Sequence, residues 1–122
     1  MIAKSILLVE DVYYNQVLVE SLLVDWGYAV EIVKNGAEAL DRMKEKSYDL
    51  IVLDIMMPIM DGFTFLDEKK KVADKTPVII LTARNEMKSI QKALELGAND
   101  YVAKPFNSFD LRNKVALLLA KK

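Results

Sequence analysis

The sequence predicts a single α/β domain, residues 1–122, in which buried parallel strands alternate with helices. Short apolar runs recur along the chain, and most of them lack alternating polar residues, which is typical of strands buried on both faces of a parallel sheet. Segments with apolar residues at helical spacing lie between these runs, and parallel strands need such crossover connections. The alternation extends from one end of the chain to the other.

Five strands are expected at the apolar runs. In chain order these runs are Ile6–Val9, Ala29–Val33, Leu50–Leu53, Val78–Leu81 and Tyr101–Ala103.

Five helices are expected between and after the strands. The first covers Asn15–Trp26 and ends at Gly27, the second is capped by Asn35 and runs through Lys46, the third begins at Asp61 or Gly62, the fourth covers Glu86–Leu96 and ends at Gly97, and the fifth is capped by Ser108. The residues expected to face the core are Leu18, Leu22, Leu23, Ala39, Leu40, Met43, Phe63, Phe65, Leu66, Val72, Met87, Ile90, Ala93, Leu94, Leu111, Val115 and Leu118. The charged run Glu68–Lys71 is expected to be a solvated helix face.

Composition excludes several classes of function. Acidic residues number 18 and basic residues 17, so no basic excess indicates nucleic acid or an anionic membrane as a direct partner. Cysteine and histidine are both absent, which excludes disulfides, thiolate chemistry and histidine catalysis or ligation. No apolar run approaches the ~20 residues of a membrane span, and the N-terminus becomes acidic where a signal peptide would be cleaved. A cytoplasmic location is expected.

Charged and polar residues stand where the predicted strands end. Glu10 and Asp11 follow the first strand, Asp54 follows the third, Thr82 the fourth and Lys104 the fifth. Ligands of open α/β sheets bind beyond the carboxyl ends of the strands, so these side chains are expected to share one site if their strands are neighbours. Three carboxylates repel one another, and Mg²⁺, which prefers oxygen ligands, would relieve that repulsion. An aspartate beside a metal, a lysine and a hydroxyl is equipped to attack phosphorus.

Four stretches carry a resemblance to a known family. ILLVED, LIVLDIMMPIMDG, VIILTA and YVAKPF together resemble the receiver domains of two-component response regulators, chemotaxis regulators among them. The resemblance implies a flavodoxin-like three-layer sandwich, with five parallel strands in the order 2-1-3-4-5 and helices on both faces. It also implies phosphorelay signalling, in which the chain catalyses only its own Mg²⁺-dependent phosphorylation and dephosphorylation.

The same resemblance implies roles for the residues at the strand ends. Asp54 is the implied phosphoacceptor, and Thr82 and Lys104 contact the phosphoryl oxygens. Mg²⁺, with Mn²⁺ as an alternative, is held by Asp54, by the backbone carbonyl of Met56, and by the acidic pair Glu10 and Asp11. Glu10 replaces the aspartate that is common in the family.

Two further features are implied at the last strand. Tyr101 matches the aromatic residue whose rotation is coupled to Thr82 and signals phosphorylation. The Lys104–Pro105 bond resembles the family's cis peptide, and X-Pro bonds are where the cis form costs least.

Partners follow from the same resemblance. A histidine kinase or a histidine phosphotransfer protein supplies the phosphoryl group, and a downstream protein binds the switched face. Tyr13 and Val17 either pack against the fold or form an exposed docking patch for the phosphodonor. Apolar positions on the last two helices, such as Leu117 and Leu119, permit a phosphorylation-dependent dimer. The sequence does not distinguish a stand-alone receiver from one cut out of a longer regulator.

Three other classes of function fit the sequence less well. A flavin or nucleotide carrier would need a glycine- or hydroxyl-rich loop after the first strand, but that loop reads EDVYYN. A phosphatase with an aspartyl-phosphate would want a second aspartate two residues after the nucleophile, where this chain has Met56. A receiver-like module that is never phosphorylated would keep a costly acidic cluster without using it.

Overall fold

The computed structural model describes residues 3–55, 60–83, 87–104 and 107–120. Strands and helices alternate throughout. In chain order they are β1 (Ser5–Val9), α1 (Tyr13–Asp25), β2 (Ala29–Val33), α2 (Gly36–Glu45), β3 (Leu50–Asp54), α3 (Gly62–Lys71), β4 (Val78–Ala83), α4 (Met87–Glu95), β5 (Asp100–Lys104) and α5 (Ser108–Ala120).

The five strands form one parallel sheet in the order β2-β1-β3-β4-β5. Leu8 of the inner strand β1, for example, is paired with Ile32 on one side and Val52 on the other. The α/β class and the flavodoxin-like strand order are therefore confirmed. Every strand reaches the same edge of the sheet with its carboxyl end, which brings the residues that follow the strands together.

Two apolar layers cover the sheet, one on each face. Alternate residues of the inner strands point to opposite faces, so a continuous apolar strand supplies both layers. One layer combines Leu7, Val9, Ile51, Leu53, Val78 and Ile80 with residues of α2, α3 and α4, among them Ala39, Phe65, Leu66 and Ala93. The other combines Ile6, Leu8, Leu50, Val52, Ile79, Leu81 and Val102 with residues of α1 and α5, among them Val19, Leu23, Leu111, Val115 and Leu118.

Four of the five strands are longer than predicted, and the residues added at three of them include the functional candidates Asp54, Thr82 and Lys104. Asp54 is the last residue of β3 and is paired with Leu81, while Thr82 lies within β4 and is paired with Ala103. Both side chains are therefore fixed by the hydrogen-bonded ladder of the sheet rather than carried on a loop.

Helix caps agree with the sequence at two helices and differ at one. Asn35 caps α2 by accepting a hydrogen bond from the backbone of Glu38, and Asp61 caps α3 in the same way. The expected Ser108 cap is wrong, because Asn107 accepts from the N–H of Phe109 and its carbonyl receives the first bond of α5. Asparagine at the preceding position thus takes the cap.

Several residues expected in the core are exposed instead, namely Leu18, Val72, Met87 and Leu94. The apolar residues of α1 are spread around the helix and are not concentrated on one side, so their periodicity did not identify the buried face, which carries Val19 and Leu23. It also begins at Tyr13, two residues before the predicted start at Asn15.

The charged run in α3 is not entirely a solvated face, as had been expected. Lys69 is buried, and its ammonium group donates a hydrogen bond to the carbonyl of Asp74 at 3.0 Å and lies 3.4 Å from the Asp74 carboxylate. Burial lowers the pKa of Lys69. Lys69 therefore connects the end of α3 to the loop before β4.

Across the described ranges, no helix is both long and apolar enough to cross a membrane.

Candidate metal centre and active site

Three carboxylates meet at the carboxyl edge of the sheet. Glu10 and Asp11 follow β1 and Asp54 ends β3, which is the neighbour of β1. One oxygen from each carboxylate lies within 4.8 Å of the others. Glu10 is fully buried and Asp54 is 7% exposed, so two of the three acids are held largely away from water. The convergence expected from the strand ends is present in the structure.

A lysine supplies the positive charge of this cluster. Lys104 ends β5, and its ammonium nitrogen lies 3.0 Å from Asp54 Oδ2 and 3.7 Å from Glu10 Oε1. The ammonium thus bridges two of the acids. One cation against three carboxylates leaves an excess of negative charge if all three are ionised.

Burial and repulsion act together on Glu10. Removal from water, the largest cause, and the neighbouring Asp54 carboxylate together raise the pKa of Glu10 to about 7, against the opposing influence of Lys104. The unfavourable electrostatic energy of these buried carboxylates falls when a second cation enters the cluster.

Two carboxylate oxygens fit that cation. Glu10 Oε1 and Asp11 Oδ1 are buried, and within the described part of the chain no hydrogen-bond donor reaches either of them. Buried acceptors without donors are rare and costly. Oxygen donors of this kind, together with Asp54, form the ligand set that a hard divalent ion such as Mg²⁺ prefers. The residues present therefore fit Mg²⁺.

The predicted hydroxyl and aromatic residues lie on the neighbouring strands. Thr82 is buried in β4, one residue beyond the position paired with Asp54. Tyr101 is half-buried in β5 and is paired with Ile80. Lys114 of α5 donates a hydrogen bond to the Tyr101 carbonyl at 2.6 Å and lies 4.7 Å from the centre of the Tyr101 ring.

Two predicted features lie outside the described residues. They are the Met56 carbonyl and the Lys104–Pro105 peptide, since residues 56–59 and 105–106 are not described. Gly62 at the start of α3 donates its N–H to the Ile55 carbonyl at 2.7 Å. A Cβ at this glycine would lie 2.8 Å from Ile55 Cα, so only glycine permits the approach.

The two candidate docking residues lie at the start of α1, directly after the acidic pair. Tyr13 is 77% exposed and Val17 is 45% exposed. These exposures oppose the alternative in which the two side chains are simply packed against the fold, and Val12 and Tyr14 extend the same exposed apolar surface.

The sequence did not identify one polar residue beside the acidic pair. Gln16 of α1 donates a hydrogen bond from its side-chain amide to the Glu10 carbonyl at 2.6 Å. Gln16 is one of several polar residues in α1, so its position in the sequence gave no signal that set it apart.

Comparison with known proteins agrees with the fold and the site. The family model of the response regulator receiver domain matches residues 6–116 of this chain. The transcriptional regulatory protein PcoR of Escherichia coli is 36% identical over 118 residues, which are 97% of this chain and 52% of PcoR. The transcriptional activator protein IrlR of Burkholderia pseudomallei is 39% identical over 116 residues, covering 95% of this chain and 50% of IrlR. The chain thus spans about half the length of these relatives.

A solved structure is similar over nearly the whole chain. The receiver domain of the sensor histidine kinase PA1611 from Pseudomonas aeruginosa has a TM-score of 0.90 and 32% identity, covering 98% of this chain and 100% of that one. That structure has a magnesium ion coordinated in its active-site cleft. Fold, acidic cluster and family match agree, and the chain belongs to the receiver domains of two-component response regulators.

Proposed function

We propose that residues 1–122 form one receiver unit that accepts a phosphoryl group on Asp54 with the help of Mg²⁺. The observation that carries this proposal is the buried cluster of three carboxylates, within 4.8 Å of one another, joined to the ammonium of Lys104. The magnesium ion in the PA1611 receiver supports the choice of metal. Mn²⁺ prefers similar oxygen ligands and is a second candidate.

Glu10, Asp11 and Asp54 would hold the metal, and the Met56 carbonyl would add a further ligand. The ion, when bound, neutralises charge on the oxygens of the transferred phosphoryl group. Asp54 is the last residue of β3 and is paired with Leu81, so its carboxylate is offered at a fixed position for attack on phosphorus.

Phosphoryl transfer to Asp54 exchanges one bond to phosphorus for another. A carboxylate oxygen of Asp54 forms a bond to phosphorus while the bond from phosphorus to the donor breaks, and the electron pair leaves with the donor. The Lys104 ammonium, now paired with Asp54, is within reach of the new phosphoryl oxygens, and the Thr82 hydroxyl can donate a hydrogen bond to them. Attack by water on phosphorus releases phosphate and restores the carboxylate.

The added charge is the signal. Thr82 and Tyr101 lie on adjacent strands, so movement of the threonine toward the phosphoryl group would open space for the half-buried tyrosine ring. The resulting change would be read on the surface of α4, β5 and α5 by a downstream protein.

A histidine kinase or histidine phosphotransfer protein is the proposed donor, docking at Tyr13 and Val17 in the cytoplasm. A phosphorylation-dependent dimer would use α4 and α5, where Leu117 is 63% exposed. Leu119 was also expected on this face. That expectation is wrong, because the side chain of Leu119 is buried. No direct contact with nucleic acid or a membrane is proposed for this domain.

The test uses purified protein, Mg²⁺ and acetyl phosphate, with intact mass as the readout. The native chain should gain one phosphoryl group, and chelation of Mg²⁺ should prevent the gain. Asp54→Ala should remove it, whereas Asp25→Ala, which removes an exposed acid at the far end of α1, should not. A gain that persists in Asp54→Ala would refute the assignment.

A further inference from the structure

The side chain of Gln16 holds the loop that carries two of the proposed metal ligands. Its amide nitrogen donates a hydrogen bond to the Glu10 carbonyl at 2.6 Å. Glu10 is the point at which the chain leaves the sheet, since its own N–H still donates to the Val33 carbonyl of β2. Beyond that point the strand ladder ends, and the carbonyl finds its partner in a helix side chain instead.

The backbone of the same residue fixes the other side of the loop. The N–H of Gln16 donates to the Val12 carbonyl at 2.9 Å, and the N–H of Val12 donates to Glu10 Oε2 at 3.2 Å. Asp11 lies between these two fixed points. Gln16 therefore bonds the carbonyl of the residue before Asp11 through its side chain and the carbonyl of the residue after Asp11 through its backbone.

The usual means of anchoring a helix start is missing at α1. Val12 stands at the cap position and makes no side-chain cap hydrogen bond. Serine, threonine, asparagine or aspartate at that position would normally fix the entry of the helix. Gln16 supplies the connection between loop and helix from inside the first turns.

We propose that Gln16 is a positioning residue for the metal centre, orienting Glu10 and Asp11 through the Glu10 carbonyl. This inference rests on the proposed Mg²⁺ site. Partners that orient metal ligands without touching the ion typically change metal affinity about 10- to 100-fold when they are removed. In this proposal Gln16 acts through the Glu10 carbonyl, to which its amide nitrogen donates, and it is not assigned as a ligand.

A purely structural role for this hydrogen bond makes a different prediction. Loss of a structural bond lowers the free energy of unfolding, but it leaves unchanged the Mg²⁺ dissociation constant measured on folded protein. Loss of a positioning bond raises that dissociation constant, because the acidic pair must be ordered again when the ion binds.

The experiment measures Mg²⁺ binding by isothermal titration calorimetry and stability by urea unfolding in EDTA. Gln16→Met keeps the length of the side chain and removes the donor, and it should raise the Mg²⁺ dissociation constant about tenfold or more. Ser21→Ala is the matched control, because it removes a side-chain bond to the Leu18 carbonyl on the same helix. It should leave the dissociation constant unchanged.

Each outcome bears on the proposal. An unchanged dissociation constant in Gln16→Met overturns it, whatever happens to stability. If native protein binds no Mg²⁺, the metal site and this inference both fail. If native protein binds Mg²⁺ and Asp11→Ala weakens binding but Gln16→Met does not, the metal site is supported and the role of Gln16 is rejected. Gln16→Asn, which keeps the amide but is too short to reach the carbonyl, should behave like Gln16→Met and decides the question if the methionine variant does not fold.

Discussion

Lys104 and Asp54 are joined by a 3.0 Å ion pair between the ends of two strands, although 50 residues separate them in sequence. The pair places a positive charge against the acid proposed to receive the phosphoryl group, and 3.7 Å from Glu10. The same ammonium therefore competes with a metal for these carboxylates and is available to a phosphoryl group on Asp54.

Replacing Lys104 should separate metal binding from phosphoryl transfer. Lys104→Met removes the competing charge, so Mg²⁺ should bind as tightly as in native protein or more tightly. Phosphorylation by acetyl phosphate should slow about a hundredfold, because a charged donor to the developing phosphoryl oxygens is lost. Calorimetry and the rate of mass gain measure the two effects. Lys75→Met, at an exposed position, should change neither; parallel losses in metal affinity and rate would contradict this division of roles.

The docking proposal predicts that two exposed residues matter only for a protein donor. The double variant Tyr13→Ala, Val17→Ala should slow phosphotransfer from a histidine kinase and leave the rate with acetyl phosphate unchanged, because the small donor needs no apolar surface. Val24→Ala is the control, since Val24 is 53% exposed near the opposite end of the same helix. Equal slowing with both donors would reject the patch.

Gly62 should be required for the close approach of its backbone to Ile55. Alanine normally stabilises a helix relative to glycine, but here the new Cβ would lie 2.8 Å from Ile55 Cα and 3.4 Å from the Asp54 carbonyl. Gly62→Ala should therefore destabilise the protein by about 1–3 kcal/mol in urea unfolding and also slow phosphorylation.

Gly27→Ala provides the comparison for this glycine. Its φ of 98° disfavours alanine, yet a Cβ there meets open space. That variant should lose stability and keep the phosphorylation rate of the native chain. Stabilisation by Gly62→Ala would show that the backbone yields and that the close approach is not required.

Stability should fall in acid partly through Glu31. Hydrogen bonds from Lys46 at 2.6 Å and Tyr48 at 2.5 Å lower the pKa of Glu31 below its ordinary 4.5. A lowered pKa in the folded state means that the stabilisation is complete above about pH 4.5 and is lost as the pH falls through the lower folded value. Urea unfolding at a series of pH values should show a shallower acid loss in Glu31→Gln, whereas Glu45→Gln, at an exposed position, should follow native protein. Matching slopes in native protein and Glu31→Gln would count against this role.

Much of the fold could be predicted from the sequence because each local signal had one physical meaning. Continuous apolar runs can be stable only when both faces are covered, which required a parallel sheet with helices on each side. Asn35 and Gly27 marked helix ends through their side-chain acceptor and their left-handed backbone, respectively. The strand order itself came from family resemblance, because apolar periodicity carries no information on which strands are neighbours.

Burial of charged and amphipathic residues could not be predicted from the sequence in the same way. Lys69 looked like part of a solvated run, and only the fold brings Asp74, in the loop after α3, against its ammonium. Met87 and Leu94 have the spacing of core residues, yet α4 turns them outward. Whether an apolar side chain is covered depends on which element packs over it, and that is a tertiary property.

The sequence by itself determined that acids, a hydroxyl and a lysine stand at strand ends, because chain order and strand polarity fix which end each residue occupies. Only the tertiary structure decided how those groups interact. It brought Lys104 against Asp54, buried Glu10 so that its pKa rises, and set Gln16 on the carbonyl before Asp11. Distances of about 3 Å between residues far apart in sequence arise from strand pairing and helix packing, and spacing along the chain does not encode them.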